Sequence, residues 1–314
     1  MKSRNEDKRS TMEQPQLTVG IISAGAVGTA VGEAFLRSGH HVHGAVARSD
    51  SSRTRASKRM PNVPIVQVEQ AAHAALVVLA VPDPQLPDVI AEVAQYTQAG
   101  QMVMHTSGAL GCEVLQPVTD TGALPLALHP AMTFTGAAED TDRLHGCGWG
   151  VTADSEQGYA VAELLVHTLG GVPVVIPEHH RSAYHAAMAH AANHSVALIS
   201  DALRMLDYVL DSGRAGAGER GAGSSLPPLQ NPDSALLLRK LVHAAVDNAL
   251  DRRLEGLTGP VAREDAPAVL RHVAALDELG VGLDPYIAMS ERTAQMTGAV
   301  EIERVLSDYR IRRG

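Results

Sequence analysis

The sequence predicts an α/β fold in which a doubly wound, mainly parallel sheet is followed by an all-helical C-terminal domain. From Leu17 to about Pro177, short β-branched runs alternate with amphipathic segments, which is the rhythm of βαβ units. Beyond Pro177 that rhythm stops and long Ala- and Leu-rich helical patterns follow. The length of 314 residues also fits two domains, since ~150 residues is typical of one.

The first domain, residues 16–177, is expected to contain eight strands. The fourth run, ALVVLAV, is apolar throughout, which is typical of a strand buried on both faces. In chain order the predicted strands cover residues 17–22, 41–47, 64–68, 75–81, 101–106, 124–129, 148–153 and 172–176.

The second domain, residues 178–314, is expected to be helical and to serve substrate binding and dimerisation. Its Gly-, Ser- and Pro-rich stretch at 212–233 predicts a flexible insertion. Residues 1–15 are charged and lack an apolar core, so they predict a disordered tail and no signal peptide. Helical patterns cover roughly residues 178–211, 234–255, 264–279, 284–298 and 301–310.

Composition excludes several classes of protein. The net charge of -9 and the absence of a basic block argue against nucleic acid as a partner. No apolar run approaches the ~20 residues of a membrane span. The two cysteines, Cys112 and Cys147, form no CxxC motif and suit a reducing compartment, so we expect a cytoplasmic protein. No metal is expected, because the His190 and His194 pair lacks the glutamate of HExxH.

The turn SAGAVG after the first strand predicts a dinucleotide site. Gly25 and Gly28 match the second and third glycines of GxGxxG, which allow approach of the pyrophosphate and close helix packing. Ser23 replaces the first glycine, and a modest backbone adjustment should accommodate it. A Rossmann sheet is therefore expected, with the nucleotide bound by Ser23, Ala24, Gly25, Ala26, Val27 and Gly28.

The end of the second predicted strand favours NADP over NAD. An NAD enzyme carries an acidic side chain about 20 residues after the turn, whereas this chain has Arg48 and Ser49 there, with Arg53 and Arg55 close behind. A guanidinium can clamp a 2′-phosphate. The alternative is a solvated basic turn, and Asp50 leaves NAD as a lesser option.

Three further strand ends should meet at the same crevice, since ligands bind at the carboxyl ends of parallel strands. Pro82 would keep the chain extended beside the cofactor, and Ser107 with Gly108 would offer a hydroxyl and backbone N–H groups to the substrate. Taken singly, such features are commonplace turns and strand ends. The residues assigned here are Val81, Pro82 and Asp83 for the cofactor, Ser107 and Gly108 for the substrate, and His129 as a candidate catalytic residue.

The helical half supplies further candidates. His185 and Asn193 lie on one broad face of a predicted helix. His185 is a candidate general acid, with His129 as the competing candidate. Asn193 is a candidate donor that would orient a carbonyl group. Gly259 and Pro260 precede a helix whose N-terminus favours an anion, and Arg263 could clamp a carboxylate. The alternatives are structural hydrogen bonds for the first pair and a surface ion pair for Arg263.

Taken together, the motifs VPD, HTSGAL, LHPAMTF, YHAAMAHAANH and LTGPVARED resemble a Rossmann-like family whose C-terminal part is a domain of unknown function. That family is a branch of the 6-phosphogluconate dehydrogenase-like superfamily, which includes ketopantoate and pyrroline-5-carboxylate reductases. The resemblance runs from Leu17 to about Gly298 and departs from the family pattern at Ser23 and Glu264, where glycine is usual. A lysine frequent in the superfamily's substrate helix is also absent.

The resemblance implies an NADP-binding domain, a helical domain that often forms a dimer, and a small-molecule substrate between them. The expected activity is an NADP-dependent oxidoreductase that reduces a small carboxylate-bearing carbonyl compound, preferably a ketopantoate-like 2-oxo acid. An imine reductase resembling pyrroline-5-carboxylate reductase is the alternative. A non-catalytic NADP-binding regulatory protein is a third possibility, which the missing lysine and Ser23 favour.

Overall fold

The computed structural model describes residues 16–212 and 231–313, and the chain forms two compact units, the first ending at His190 and the second starting at Ala191. The predicted tail at 1–15 and most of the predicted insertion lie outside the described residues. The boundary expected near Pro177 is the point at which the pattern of strands ends. The boundary at His190 instead follows from which residues pack together.

A seven-stranded sheet in the order β2-β1-β3-β4-β5-β6-β7 forms the centre of the first unit. Every pairing is parallel except β5 with β6, so the predicted α/β class and mainly parallel sheet are confirmed. The strands are β1 (Thr18–Ile22), β2 (His41–Val46), β3 (Leu76–Leu79), β4 (Met102–His105), β5 (Leu124–Pro130), β6 (Gly148–Ala153) and β7 (Val172–Val175).

Helices cover both faces of this sheet and bury two apolar clusters. Phe35 and Val166 pack on one face, and Ile90 and Leu115 pack on the other, all fully buried. This double burial explains why β3 is apolar at every position. The helices are α1 (Ala26–Arg37), α2 (Asp50–Arg59), α3 (Val68–Ala72), α4 (Leu86–Ala94), α5 (Gln116–Thr119), α6 (Glu139–Asp142) and α7 (Glu156–Thr168).

The predicted strand at 64–68 is wrong. Ile65 forms only an isolated bridge with Ala45. The extended run ends because Gln67 caps α3, its backbone N–H donating to Gln70 Oε1 at 3.1 Å in a capping box.

Long helices make up the described part of the second unit, as the sequence predicts. Helix α8 (Arg181–Ser212) begins in the first unit, after a 3₁₀ turn at Glu178–His180. It is followed by α9 (Pro232–Arg252), α10 (Ala266–Leu279), α11 (Leu283–Thr297) and α12 (Val300–Arg313). Helix α9 starts at Pro232 with Asn231 as its N-cap, so the last two positions of the predicted insertion belong to a helix.

Helices α10, α11 and α12 share an apolar core that includes Val269, Ile287 and Leu306. No helix in residues 16–212 or 231–313 is long and apolar enough to cross a bilayer.

Candidate cofactor and substrate site

The turn between β1 and α1 brings the chain into the left-handed region at Ser23, whose φ is 78°. A Cβ on Gly28 would lie 2.0 Å from the Ser23 carbonyl oxygen, so only glycine fits there. Gly25 is the N-cap of α1, and Ala24 N–H donates to Val46 O at 2.8 Å. The turn therefore needs a larger adjustment at Ser23 than the modest one expected from the sequence.

A cavity of about 420 Å³ opens beside this turn, at the carboxyl ends of β1 and β2 and next to the segment after β3. Two cationic side chains, Arg48 and Arg55, lie on its wall with three serine hydroxyls from the start of α2. The lining residues are Ile22, Ser23, Gly25, Val46, Arg48, Ser49, Ser51, Ser52, Arg55, Val81, Pro82, Gln85 and Val89.

Six of the residues assigned to the cofactor line this cavity, and Arg53 does not. Arg53 Nε instead donates to Ala47 O at 3.2 Å, whereas Arg55, two positions along α2, lines the cavity. Sequence spacing could not separate these arginines, because the orientation of α2 decides which guanidinium faces inward. The other assigned residues absent from the lining are Ala24, Ala26, Val27 and Gly28, at the turn and start of α1, and Asp83, at the start of a 3₁₀ turn.

The segment after β4, which the sequence assigns to the substrate, forms hydrogen bonds within itself. His105 Nδ1 accepts from Ser107 N–H at 3.1 Å, and its Nε2 lies 2.8 Å from Gly111 O. Ser107 Oγ accepts from the N–H groups of Ala109 (3.2 Å) and Leu110 (3.1 Å). Ser107 and Gly108 are both buried, and the N–H and hydroxyl oxygen of Ser107 form hydrogen bonds within the segment. Their assignment to the substrate stays a prediction.

Arg181, to which the sequence patterns gave no role, fixes this segment. It is 1% exposed, and its guanidinium donates to three backbone carbonyls: Nε to Leu110 O at 2.9 Å, Nη1 to Gly150 O at 3.1 Å, and Nη2 to Ser107 O. Burial lowers the pKa of Arg181, but a guanidinium stays charged in proteins. The cation thus holds the β4 segment and β6 in one arrangement.

Glu178 binds the same segment through backbone N–H groups. Its Oε2 accepts from Cys112 N–H at 2.7 Å, and its Oε1 lies 3.4 Å from Glu113 N. A Cβ on Gly111 would come within 2.1 Å of this carboxylate, so a glycine is required opposite it. The glycines of HTSGALG were the available signal that side chains from elsewhere enter this segment.

His129, at the end of β5, lies beside two residues from the start of α8. Its Nδ1 is 2.8 Å from Tyr184 OH, and its ring centroid is 6.1 Å from that of His185. Burial, the Arg181 charge and His185 lower the pKa of His129 to about 4, and burial raises the pKa of Tyr184. With a pKa of about 4, the His129 imidazole is neutral near pH 7, and its role as a candidate general acid stays a prediction.

The remaining assigned residues belong to the second unit. Asn193 is an exposed residue of α8. Gly259 has a φ of 105°, and Pro260 O accepts from Asp265 N–H at 2.8 Å, so the segment is a tight turn. Arg263 is exposed. Asp265 caps α10 by accepting from Ala268 N–H at 3.1 Å, which occupies one of the N–H groups expected to attract an anion.

Among residues 16–212 and 231–313, no group of three His, Cys, Asp or Glu side chains could hold a metal ion. Outside glycine, a positive φ occurs at only three of these described positions: Ser23, Arg253 and Glu264. Ser23 and Glu264 are the two positions at which the sequence departs from the glycine usual in the family it resembles.

The sheet, the glycine turn and the cavity beside it are typical of a dinucleotide-binding fold. Comparison with known families identifies the two domains. Residues 3–130 match a Rossmann-like domain, and residues 147–293 match a domain of unknown function, DUF2520. The chain therefore carries the pair of domains that its motifs predict, a Rossmann-like domain followed by DUF2520. A comparison with curated proteins gives no match.

Solved structures share the fold at low sequence identity. A reductive aminase from Aspergillus terreus, in complex with NADPH and ethyl-5-oxohexanoate, is 15% identical with a TM-score of 0.62, covering 90% of this chain and 95% of its own. A pyrroline-5-carboxylate reductase from Coxiella burnetii is 15% identical with a TM-score of 0.53, covering 89% and 99%. An imine reductase variant from Myxococcus stipitatus, in complex with NAD⁺, is 17% identical with a TM-score of 0.57, covering 91% and 95%.

Proposed function

We propose that this protein is an NADP-dependent oxidoreductase that reduces a small carbonyl or imine compound bearing a carboxylate. The observation that carries the proposal is the cavity beside the SAGAVG turn, with two arginines and three serines at the end that follows β2. Gly25 leaves the N-terminus of α1 open at this cavity, where N–H groups and the helix dipole favour a pyrophosphate.

The choice of NADP depends on Arg48 and Arg55. Arg48 is 70% exposed at its side chain and lies 3.5 Å from Glu92, a surface contact worth little in water, so it is available to a phosphate. Ser49 and Ser52 cap the start of α2 reciprocally, which fixes the hydroxyls beside the arginines. A 2′-phosphate offers three acceptor oxygens to such a group of donors, and NAD offers none of them.

Binding of the two nicotinamide cofactors tests this choice. In Arg48→Asp and Arg55→Asp, we expect affinity for NADPH to fall by roughly ten-fold or more, the effect of losing one charge-assisted hydrogen bond, while affinity for NADH changes little. Arg53→Ala is the matched control, because Arg53 is bonded to Ala47 O and should leave both affinities unchanged. Equal weakening for both cofactors would contradict the assignment.

When bound, NADPH supplies a hydride to the carbon of the C=O or C=N bond, and the oxygen or nitrogen gains a proton. A ketopantoate-like 2-oxo acid is the first candidate substrate. One observation favours an imine as the second: His129 is neutral at cellular pH, and an imine that arrives already protonated needs no strong general acid. Assays of NADPH oxidation with 2-oxo acids, with and without an added amine, separate the two.

The regulatory alternative predicts a different result. A non-catalytic sensor would bind NADPH stoichiometrically and leave it unoxidised across the whole panel of oxo acids and imines. Such an outcome would refute the proposed enzymatic function and leave the cofactor assignment in place.

We further propose that the partner in solution is a second copy of this chain. Helix α9 carries leucines around much of its circumference, yet its only buried residue is Ser234. Leu236, Leu241 and Leu250 are 72%, 65% and 78% exposed, and burying one leucine contributes about 1.5–3 kcal/mol. We expect a dimer by sedimentation and its weakening in Leu250→Asp; a monomeric wild-type protein would contradict this.

A further inference from the structure

His129 has different surroundings at its two ring nitrogens. On one side, Nδ1 lies 2.8 Å from the hydroxyl of Tyr184. On the other, Nε2 faces Gly108, where a Cβ would lie 3.1 Å from it. The ring therefore bridges a half-buried phenol and the segment after β4.

The position of the phenol is determined by the sheet. Gly150 pairs with His129 across the antiparallel β5–β6 ladder. A Cβ on Gly150 would lie 2.8 Å from both Cζ and the hydroxyl oxygen of Tyr184, so the absence of a side chain there makes room for the phenol. Arg181 binds Gly150 O, and its Cζ lies 5.7 Å from the centroid of the Tyr184 ring. Tyr184 is thus held beside His129 by packing on both sides.

A neutral imidazole has one N–H group, and its other nitrogen is an acceptor. The basic ring nitrogen accepts more strongly than a phenolic oxygen, so the favoured bond runs from Tyr184 O–H to His129 Nδ1. The single N–H of His129 then lies on Nε2, facing the segment that contains Gly108. The hydrogen bond of one nitrogen sets which form the other takes.

We propose that Tyr184 holds His129 in the Nε2–H tautomer, and that this N–H donates the hydrogen bond that polarises the C=O group of the substrate, or the C=N group of an imine that arrives unprotonated. This inference rests on the proposed reductase function. Tyr184 is then a positioning residue and His129 a neutral catalytic donor. As hydride reaches the carbon, the electron pair of the double bond moves to the oxygen or nitrogen, which His129 stabilises, and water supplies the proton of the product.

The charges around His129 support a neutral donor. Protonation of the ring would place a second positive charge near the Arg181 guanidinium in a buried site, which is unfavourable. The titratable and charged groups that act on His129 are Arg181, Tyr184, His185, His105 and Asp83.

The tautomer can be observed directly, without turnover. Long-range ¹H–¹⁵N correlation spectra of the full-length protein with labelled histidine would be compared with those of His129→Gln for assignment. We expect the Nε2–H form for His129 in the wild type at neutral pH and mixed tautomers in Tyr184→Phe. An Nδ1–H form in the wild type, or an unchanged tautomer in Tyr184→Phe, would overturn the inference.

Kinetics supply the second readout. Tyr184→Phe should lower kcat by roughly ten-fold, the effect of one neutral hydrogen bond, with the KM for NADPH unchanged. Tyr96→Phe is the control, because Tyr96 packs against the apolar cluster that contains Ile90 and Leu115. An unchanged kcat in Tyr184→Phe would refute the catalytic part. If no compound is reduced by the wild type, the proposed function and the catalytic donor both fail, and the spectra still decide the tautomer.

Discussion

Replacing Ser23 by glycine is expected to stabilise the protein. Ser23 has a φ of 78°, a conformation that brings the Cβ of an L-residue close to its own carbonyl oxygen. The conformation is imposed by the turn, because Gly28 packs against the Ser23 carbonyl too closely for any side chain. The strain therefore remains whether or not a nucleotide is bound.

The size of the gain follows from two opposing effects. The left-handed conformation costs a non-glycine residue about 1–2 kcal/mol, and the greater freedom of glycine in the unfolded chain lowers the gain by about 0.4–1 kcal/mol. The net increase in unfolding free energy is about 0.5–1 kcal/mol. For a protein of this size that raises Tm by about 1–4 °C.

Urea unfolding and NADPH titration of three proteins separate the backbone from the hydroxyl. Ser23→Ala removes the hydroxyl and keeps the Cβ, so its stability should stay near that of the wild type. Ser23→Gly removes both, and only this variant should gain stability. Cofactor affinity should be unchanged or higher in Ser23→Gly, because the turn then holds its shape without strain.

Two results would refute this reasoning. A loss of stability in Ser23→Gly would mean that the left-handed φ is not a source of strain. A large and equal loss of NADPH affinity in Ser23→Gly and Ser23→Ala would mean that the hydroxyl contacts the cofactor.

Three further predictions follow from the backbone and from the partly buried imidazole of His129. Glu264→Gly, at φ 53°, should stabilise the protein by a similar amount in urea unfolding, about 0.5–1 kcal/mol, whereas Glu264→Ala should not. Gly28→Ala should lower both stability and NADPH affinity, because its Cβ would lie 2.0 Å from the Ser23 carbonyl oxygen. Gly148→Ala is the control and should lower neither, because no atom lies within 4 Å of the Cβ it would add. Since the pKa of His129 falls from 6.5 to about 4 on folding, its contribution of about 3 kcal/mol is complete above pH 6.5 and is lost as pH falls towards 4. Unfolding of His129→Gln should therefore show a weaker pH dependence than the wild type over that range, as measured by urea unfolding between about pH 4 and pH 7.

The fold was predictable because strand runs and helix periodicity are local properties of the chain. The predicted strand at 64–68 shows the limit of that approach: its composition suits a strand, but Gln67 and Gln70 start a helix before a ladder can form. Propensity alone does not reveal which local interaction prevails.

The glycine turn after β1 was predictable for the same reason, since its glycines lie within six residues. The contacts around His129 were not. Arg181 and Tyr184 lie in an Ala-rich helical segment, and their roles come from carbonyls and a ring more than 30 residues away in the chain. The indirect signals were Gly108, Gly111 and Gly150, whose missing side chains admit His185, Glu178 and Tyr184.

The anchoring of the β4 segment by Glu178 and Arg181 determines where the chain can be divided. A nucleotide-binding half that ends at Pro177, where the strand rhythm stops, would lack the carboxylate and the guanidinium that bind this segment. It would also expose the carbonyl oxygens of Ser107, Leu110 and Gly150, which Arg181 satisfies. A fragment extended to His190 keeps these groups together with Tyr184 and His185. Dissection of this protein should therefore cut within the long helix, one or two turns past the residues that complete the sheet.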